Sequence, residues 1–169
     1  MSSAFSPLSG VTYRSNPRPS DRTAVRRMVA GTGFFSPAEV AIAVELVDDR
    51  LSRGRRSDYR FLFAERKGLP IAYTCYGAID GTLSSYDLYW IVVRNDLRKI
   101  GIGRDLMKRT EDRILRSKGS RVYVDTSSRD QYAPTRAFYV RCGYRQAAVL
   151  PDFYAPGDGK VIYEKILHP

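Results

Sequence analysis

Arg98-Lys99-Ile100-Gly101-Ile102-Gly103 is the stretch whose residue types and spacing best suit a chemical task. It follows the apolar run Trp90-Ile91-Val92-Val93 and leads into a helical pattern that opens at Arg104. A strand, a glycine-bearing turn and a helix in that order aim backbone N–H groups and the positive helix end at one point, which makes an anion site. Glycine lets the backbone come close to a phosphate and take conformations closed to other residues. Arg98, Lys99 and Arg104 add positive charge around it. Turns before helices are often glycine-rich without holding anything, so the pattern alone leaves that alternative open. There is no GxxxxGK[ST], which argues against a nucleoside triphosphatase. The turn also follows a fourth strand rather than a first, and it lacks the third glycine of a dinucleotide-binding fingerprint.

The remaining composition narrows the mechanisms. His168 is the one histidine among 169 residues, so a triad with an internal histidine base and a histidine-rich zinc site are both excluded, and no metal is expected. Acid–base work must fall to Asp, Glu, Tyr, Lys, Cys or water. With 43% hydrophobic and 27% charged residues the composition is that of a globular protein. Its apolar runs are too short to span a bilayer, so no membrane partner is expected. MSSAFSPLSG has neither a basic nor an apolar signal region and reads as a flexible leader over residues 1–10. Cys75 and Cys142 read as buried thiols of a reduced cytoplasmic protein rather than a disulfide. The formal charge of +10 suits a polyanionic partner, either a small molecule or nucleic acid, and equally suits a merely solubilising surface.

The elements that must position the turn follow from hydrophobic period. Val11–Arg14 is a short strand. A helix follows, capped at Ser20-Asp21, with Val25, Met28, Val29 and Thr32 inward, and Gly31-Thr32-Gly33 breaks it. Ser36-Pro37-Ala38-Glu39 is a capping box for a second helix whose inward stripe is Val40, Val44, Val47 and Leu51. Strands are predicted at 59–64, 71–79 and 86–93, three in sequence and so an antiparallel meander. A helix over 104–118 buries Leu106, Met107, Thr110 and Ile114, and a strand follows at 121–126. A helix over 134–142 and two strands, 145–150 and 161–167, close the chain around a turn at 155–159. The order β-α-α-β-β-β-α-β-α-β-β, with no repeat or linker, reads as one mixed α/β domain over residues 11–169.

Two segments raise a family resemblance. IVVRNDLRKIGIGRDLM resembles the acyl-CoA-binding motif of the GNAT N-acetyltransferase superfamily, and TRAFYVRCGYR resembles its next motif. PDFYAPGDGKVIYEKIL is similar to the closing hairpin of the ribosomal-protein alanine acetyltransferase-like branch. The resemblance implies the GNAT acyl-CoA N-acyltransferase fold, with acetyl-CoA as cosubstrate and an amine of a small molecule or peptide as acceptor. It implies that the backbone of Ile91, Val92 and Val93 receives the pantetheine arm and that residues 98–103, with Arg104, hold the pyrophosphate. Tyr139 takes the place of the tyrosine that protonates the departing thiolate. With a thiol pKa of about 8.5 and a phenol pKa of about 10, a nearby phenol can stabilise or protonate the leaving sulfur. The alternative is a tyrosine merely packed beside Phe138. Two positions depart from the family pattern: Tyr132 stands where an arm-binding Asn is common, with a hydroxyl that could bind the cofactor arm in its place, and Asn95 where a Pro is common.

Asp125 lies where the same branch has an acidic base, if two residues are inserted before Tyr132; Asp87 and a water chain compete for the role. Asp125 could instead be engaged by Arg98, Arg121 or Arg136. Phe34, Phe35, Phe153 and Tyr154 could frame the acceptor or simply pack. Three readings follow: a catalyst of direct amine attack, an acyl-CoA sensor without catalysis, and a basic nucleic-acid-binding domain. The last has no recognisable motif, so nucleic acid is not the expected partner. Strand edges in this fold often pair between copies, which leaves a homodimer open.

Overall fold

A computed structural model describes residues 8–168. Along the chain come β1 (Val11–Arg14), α1 (Asp21–Gly31), α2 (Pro37–Arg53), β2 (Arg60–Arg66), β3 (Leu69–Ala78) and β4 (Ser85–Val93). They are followed by α3 (Ile102–Arg116), β5 (Arg121–Ser127), α4 (Ala133–Arg141), β6 (Arg145–Ala155) and β7 (Asp158–Ile166). This is the order that the hydrophobic periods predict. The strands form a seven-stranded sheet ordered β1-β2-β3-β4-β5-β7-β6, in which β4 and β5 run parallel. The expected leader falls on residues 1–7, outside the described residues, and on a turn at 8–10 whose Leu8 carbonyl accepts the Val11 N–H.

The residues group into two compact units. The first holds the chain up to Tyr76 together with Trp90–Thr110, and the second holds Gly77–Tyr89 and the chain from Glu111 on. In the first, β2 pairs antiparallel with β1 and with β3, the latter across the two-residue turn Lys67-Gly68. Helices cover both faces of these strands. Val25 and Val29 of α1 and Val40, Val44 and Val47 of α2 pack with Phe61, Phe63, Tyr73, Cys75 and Val92. Ile102 and Leu106 of α3 pack with Leu62, Ala64, Ile71 and Ala72 on the opposite side. Burial on both faces is why β2 and β3 read as near-continuous apolar runs rather than alternating ones.

The helix starts show which caps operate. Ser36 caps α2 as predicted: its hydroxyl accepts the Glu39 N–H, and the Glu39 carboxylate accepts the Ser36 N–H. Ser20 does not cap α1 with its side chain. Asp21 anchors that helix instead, because Arg14 forks onto its two carboxylate oxygens at 2.8 and 2.9 Å and also reaches Glu65 at 2.7 Å.

In the second unit β5 lies between β4 and β7, with Asp87 opposite Tyr123 and Asp125 opposite Ile162. Tyr139 of α4 packs on Tyr163, on the face where Val122, Val124 and Val161 are also buried. Asp87, Asp125 and Lys160 therefore share the other face, since strand side chains alternate.

Most strand and helix boundaries shift by a few residues from the sequence reading, and those of α3 and of the last hairpin do so for a clear physical reason. Helix α3 starts at Ile102, not Arg104, because Ile102 is a fully packed core residue and Gly103 sits inside the first turn. It ends at Arg116, not Lys118: Lys118 is left-handed (φ 63), and the Gly119 N–H closes back to the Ile114 carbonyl at 2.9 Å. The glycine is needed one position later, at 119, where a Cβ would lie 2.4 Å from Ile114 and 2.6 Å from the Tyr86 ring. In the last hairpin Ala155 pairs with Asp158, so the turn is only Pro156-Gly157, and β6 is bulged between Leu150 and Ala155.

Candidate active site

The phosphate-type turn is built within the first unit. Its first intrahelical bond runs from the Asp105 N–H to the Gly101 carbonyl at 3.1 Å, so the N–H groups of Ile102, Gly103 and Arg104 precede the hydrogen-bonded ladder. The earlier start of α3 makes Ile102 and Gly103, already expected to hold the pyrophosphate, donors of the helix start itself. Gly101 has φ +94, and nothing lies within 4 Å of where its Cβ would stand. Lys99 is also left-handed, at φ 65. The guanidinium of Arg98 lies 5.5 Å from the Phe34 ring centroid, while Arg94 is committed to Asp96 through two contacts of 2.7 and 2.8 Å. Open space, a helix start and the cations Arg98, Lys99 and Arg104 suit a pyrophosphate, so these residues can hold a coenzyme A phosphate group.

The approach to this turn is fixed from both sides. Val92 is buried against α1 and α2, Val93 packs on the opposite core, and Ile91 is half-buried. The Arg94 N–H continues the pairing to the Ile71 carbonyl at 2.9 Å. Asn95, the departure from a family proline, donates its side-chain amide to the Gly31 carbonyl at the end of α1. A proline could not make that tie. Phe35 belongs to the core, edge-on to Trp90 at 5.0 Å.

The acid–base candidates lie in the second unit. Tyr139 is buried among Phe138, Tyr144 and Tyr163, with ring centroids at 5.7, 6.1 and 5.8 Å. Burial above all, and then the charge of Asp125, push its hydroxyl well above the ordinary tyrosine range. The hydroxyl therefore holds its proton more firmly than an ordinary tyrosine does. Tyr132 is buried just ahead of α4, 5.8 Å below the Arg129 guanidinium.

Asp125 is engaged by neither Arg98, Arg121 nor Arg136 in any described contact. Its Oδ2 accepts the Tyr154 hydroxyl at 3.0 Å and lies 3.4 Å from Lys160 Nζ. Phe153 stacks edge-on against Tyr154, and its ring centroid is 4.8 Å from the same Nζ. Both aromatics are exposed, carried by the β6 bulge. Asp87 is half-buried; burial first, then the like charge of Asp125, raise its carboxyl above the usual range, with Lys160 opposing. Lys160 and its contacts escaped the sequence reading. Alternation along β7 gives its face, but only the β5–β7 register places it diagonal to Asp125.

Neither Cys75, which is buried, nor Cys142, which is only partly so, forms a disulfide among the described residues. Among the described residues no group of three His, Cys, Asp or Glu side chains is arranged to hold a metal, and no helix is long and apolar enough to cross a membrane.

Residues 57–146 match the family model of the acetyltransferase (GNAT) domain. A GNAT-family protein from Desulfovibrio desulfuricans is 40% identical, with a TM-score of 0.90 over 92% of this chain and 98% of that one. The ribosomal-protein-S18-alanine N-acetyltransferase of Escherichia coli is 17% identical, with a TM-score of 0.74 over 94% of this chain and 95% of its own. A Salmonella typhimurium protein solved with its cofactor acetyl-CoA is also 17% identical, with a TM-score of 0.70 over 94% and 95%. At such identity these last two likenesses are of fold alone. Among curated proteins none matches the sequence.

Proposed function

The chain belongs to the GNAT acetyltransferase family, and from that membership we propose that it moves the acetyl group of acetyl-CoA to a primary amine of a small molecule or peptide. Acyl transfer is the family-level activity; the donor, the acceptor and the residue roles are our reading. The observation that carries it is the turn at 98–103, with its free helix-start donors, the open side of Gly101 and three cations. Residues 11–169 are read as one catalytic domain, because the family model runs through segments of both compact units.

Bound acetyl-CoA supplies a thioester carbonyl that a neutral amine can attack. The chain's own groups then have three tasks. Residues 98–104 bind the pyrophosphate, and the backbone of Ile91–Val93 orients the arm. The Asp87–Asp125 pair takes the proton that an ammonium, with pKa about 10.4, must lose before its nitrogen can bond to the acetyl carbon. Asp87 suits the proton better, because burial already favours its protonated form. As the C–S bond breaks, the Tyr139 hydroxyl donates to the departing sulfur.

Turnover of acetyl-CoA over a panel of amines and peptide N-termini tests the reading. The native chain is expected to release CoA with at least one acceptor. Tyr139→Phe, which keeps the ring packing, is expected to lower kcat by about 10²-fold while CoA affinity holds. Absence of CoA binding in calorimetry overturns the reading. CoA binding without transfer to any acceptor makes the chain a sensor.

A further inference from the structure

The contacts of Lys160 bear on which amine the proposed acetyl transfer accepts, and the inference rests on that reading. Lys160 Nζ lies 3.4 Å from Asp125 Oδ2, and the same oxygen accepts the Tyr154 hydroxyl at 3.0 Å. On its other side the ammonium faces the Phe153 ring at 4.8 Å, a cation–π contact. The arrangement is open to solvent, with the Lys160 side chain 24% and the Asp125 side chain 41% exposed. Asp87 stands on the same face, close enough for its charge to couple with both Asp125 and Lys160. Two carboxylates and one ammonium leave the cluster with a single net negative charge.

An alkylammonium has the same head group as Lys160: one positive charge and three N–H donors. It therefore competes for the same carboxylate oxygen and the same aromatic face. A displaced Lys160 stays tethered nearby and repels any second cation on the incoming molecule. We propose that Lys160 is a specificity-determining residue: its ammonium holds the place beside Asp125 that the acceptor's ammonium takes, and it restricts the acceptor to amines bearing one positive charge. Polyamines are disfavoured by the same charge. Tyr154 is a positioning residue here, since it fixes the Asp125 oxygen over which the two cations compete.

Lys160→Met tests this, because it keeps the stem against Phe153 and removes only the charge. Binding of n-butylamine and of spermidine to the full chain, followed by NMR titration, gives a readout independent of turnover. The native chain is expected to bind butylamine more tightly than spermidine. In Lys160→Met, butylamine should tighten about tenfold and spermidine by more, as expected when a like charge is removed from a binding site. For acetylated amines KM should fall while kcat changes less than about threefold, and Lys160→Arg should restore the native pattern. Unchanged or weaker amine binding in Lys160→Met, the same gain in Lys160→Arg, or no binding of either probe to any variant overturns the proposal. Amine binding as expected without any acetylation overturns the acetyltransferase reading and leaves the role of Lys160 in binding intact. Acetylation with a Lys160→Met variant indistinguishable from the native chain does the reverse.

Discussion

Asp87 and Tyr139 are perturbed in the same direction, and with opposite consequences. Burial raises both, so Tyr139 stays a donor while Asp87 becomes a carboxylate that holds a proton more readily than an ordinary aspartate does. If Asp87 acts as the base, its ionised form is the active one, and kcat/KM rises with pH through its raised value. Asp125→Asn removes the like charge that helps to raise it, so the acid limb of the pH–rate profile should move to lower pH. Stability follows from the same shift. A carboxyl whose folded value exceeds its unfolded one favours folding most when protonated, and that contribution is lost as pH rises through the folded value. Asp87→Asn should therefore raise the melting temperature at neutral pH and change it little below the carboxylate range, which thermal melts at the two pH values will show.

At the level of elements, the start of α3 and the joint between β1, α1 and β2 make separable predictions. Gly101 holds φ +94 with open space beside it, so a side chain there meets no atom but strains the backbone by about 1–2 kcal/mol and fills the phosphate approach. Gly101→Val should abolish CoA binding in calorimetry while the melt falls by only about 2–8 °C. Arg14 behaves differently. It bridges Asp21 and Glu65, which are 1% and 7% exposed, and lies over the Phe63 ring at 4.5 Å. Arg14→Ala leaves two buried carboxylates without their shared partner and should cost about 3–5 kcal/mol in urea unfolding. A loss under 1 kcal/mol would show that water or Arg18, which reaches Glu65 at 3.4 Å, replaces it.

Across the whole molecule the positive charge is unevenly placed. The unit that carries the turn has 18 Lys and Arg against 9 Asp and Glu, a net +9, whereas the other has 10 against 9, a net +1. The excess thus belongs to the part proposed to bind a polyanion, and it should steer that ligand over distances of a Debye length. The association rate for CoA is expected to fall several-fold between low and physiological salt, with a smaller change in dissociation, by stopped-flow measurement. A rate indifferent to salt would reduce the charge to a solubilising surface. The near-neutral second unit fits an acceptor cluster where local pairs, rather than a broad field, set the selection.

The sequence by itself determined the order of the elements, the turn at 98–103, the capping box at Ser36 and the inward faces of α1, α2 and α3. These are local: each is written in the spacing of apolar residues and in the chemistry of a few neighbouring positions. The tertiary structure decided what depends on distant partners. Helix α3 begins at Ile102 because that side chain meets Ile71 and Ala72, a contact that no local reading of IGIG contains. It ends ahead of Lys118 because the tight fit at Gly119 fixes where the glycine must stand. Asp125, Tyr154 and Lys160 lie on three strands, and a bulge in β6 shifts the register between them, so their meeting cannot be read from spacing. The turn proposed to hold the phosphate is legible because a short segment builds all of it. The cluster proposed to select the acceptor is not, because its geometry is set by strand pairing.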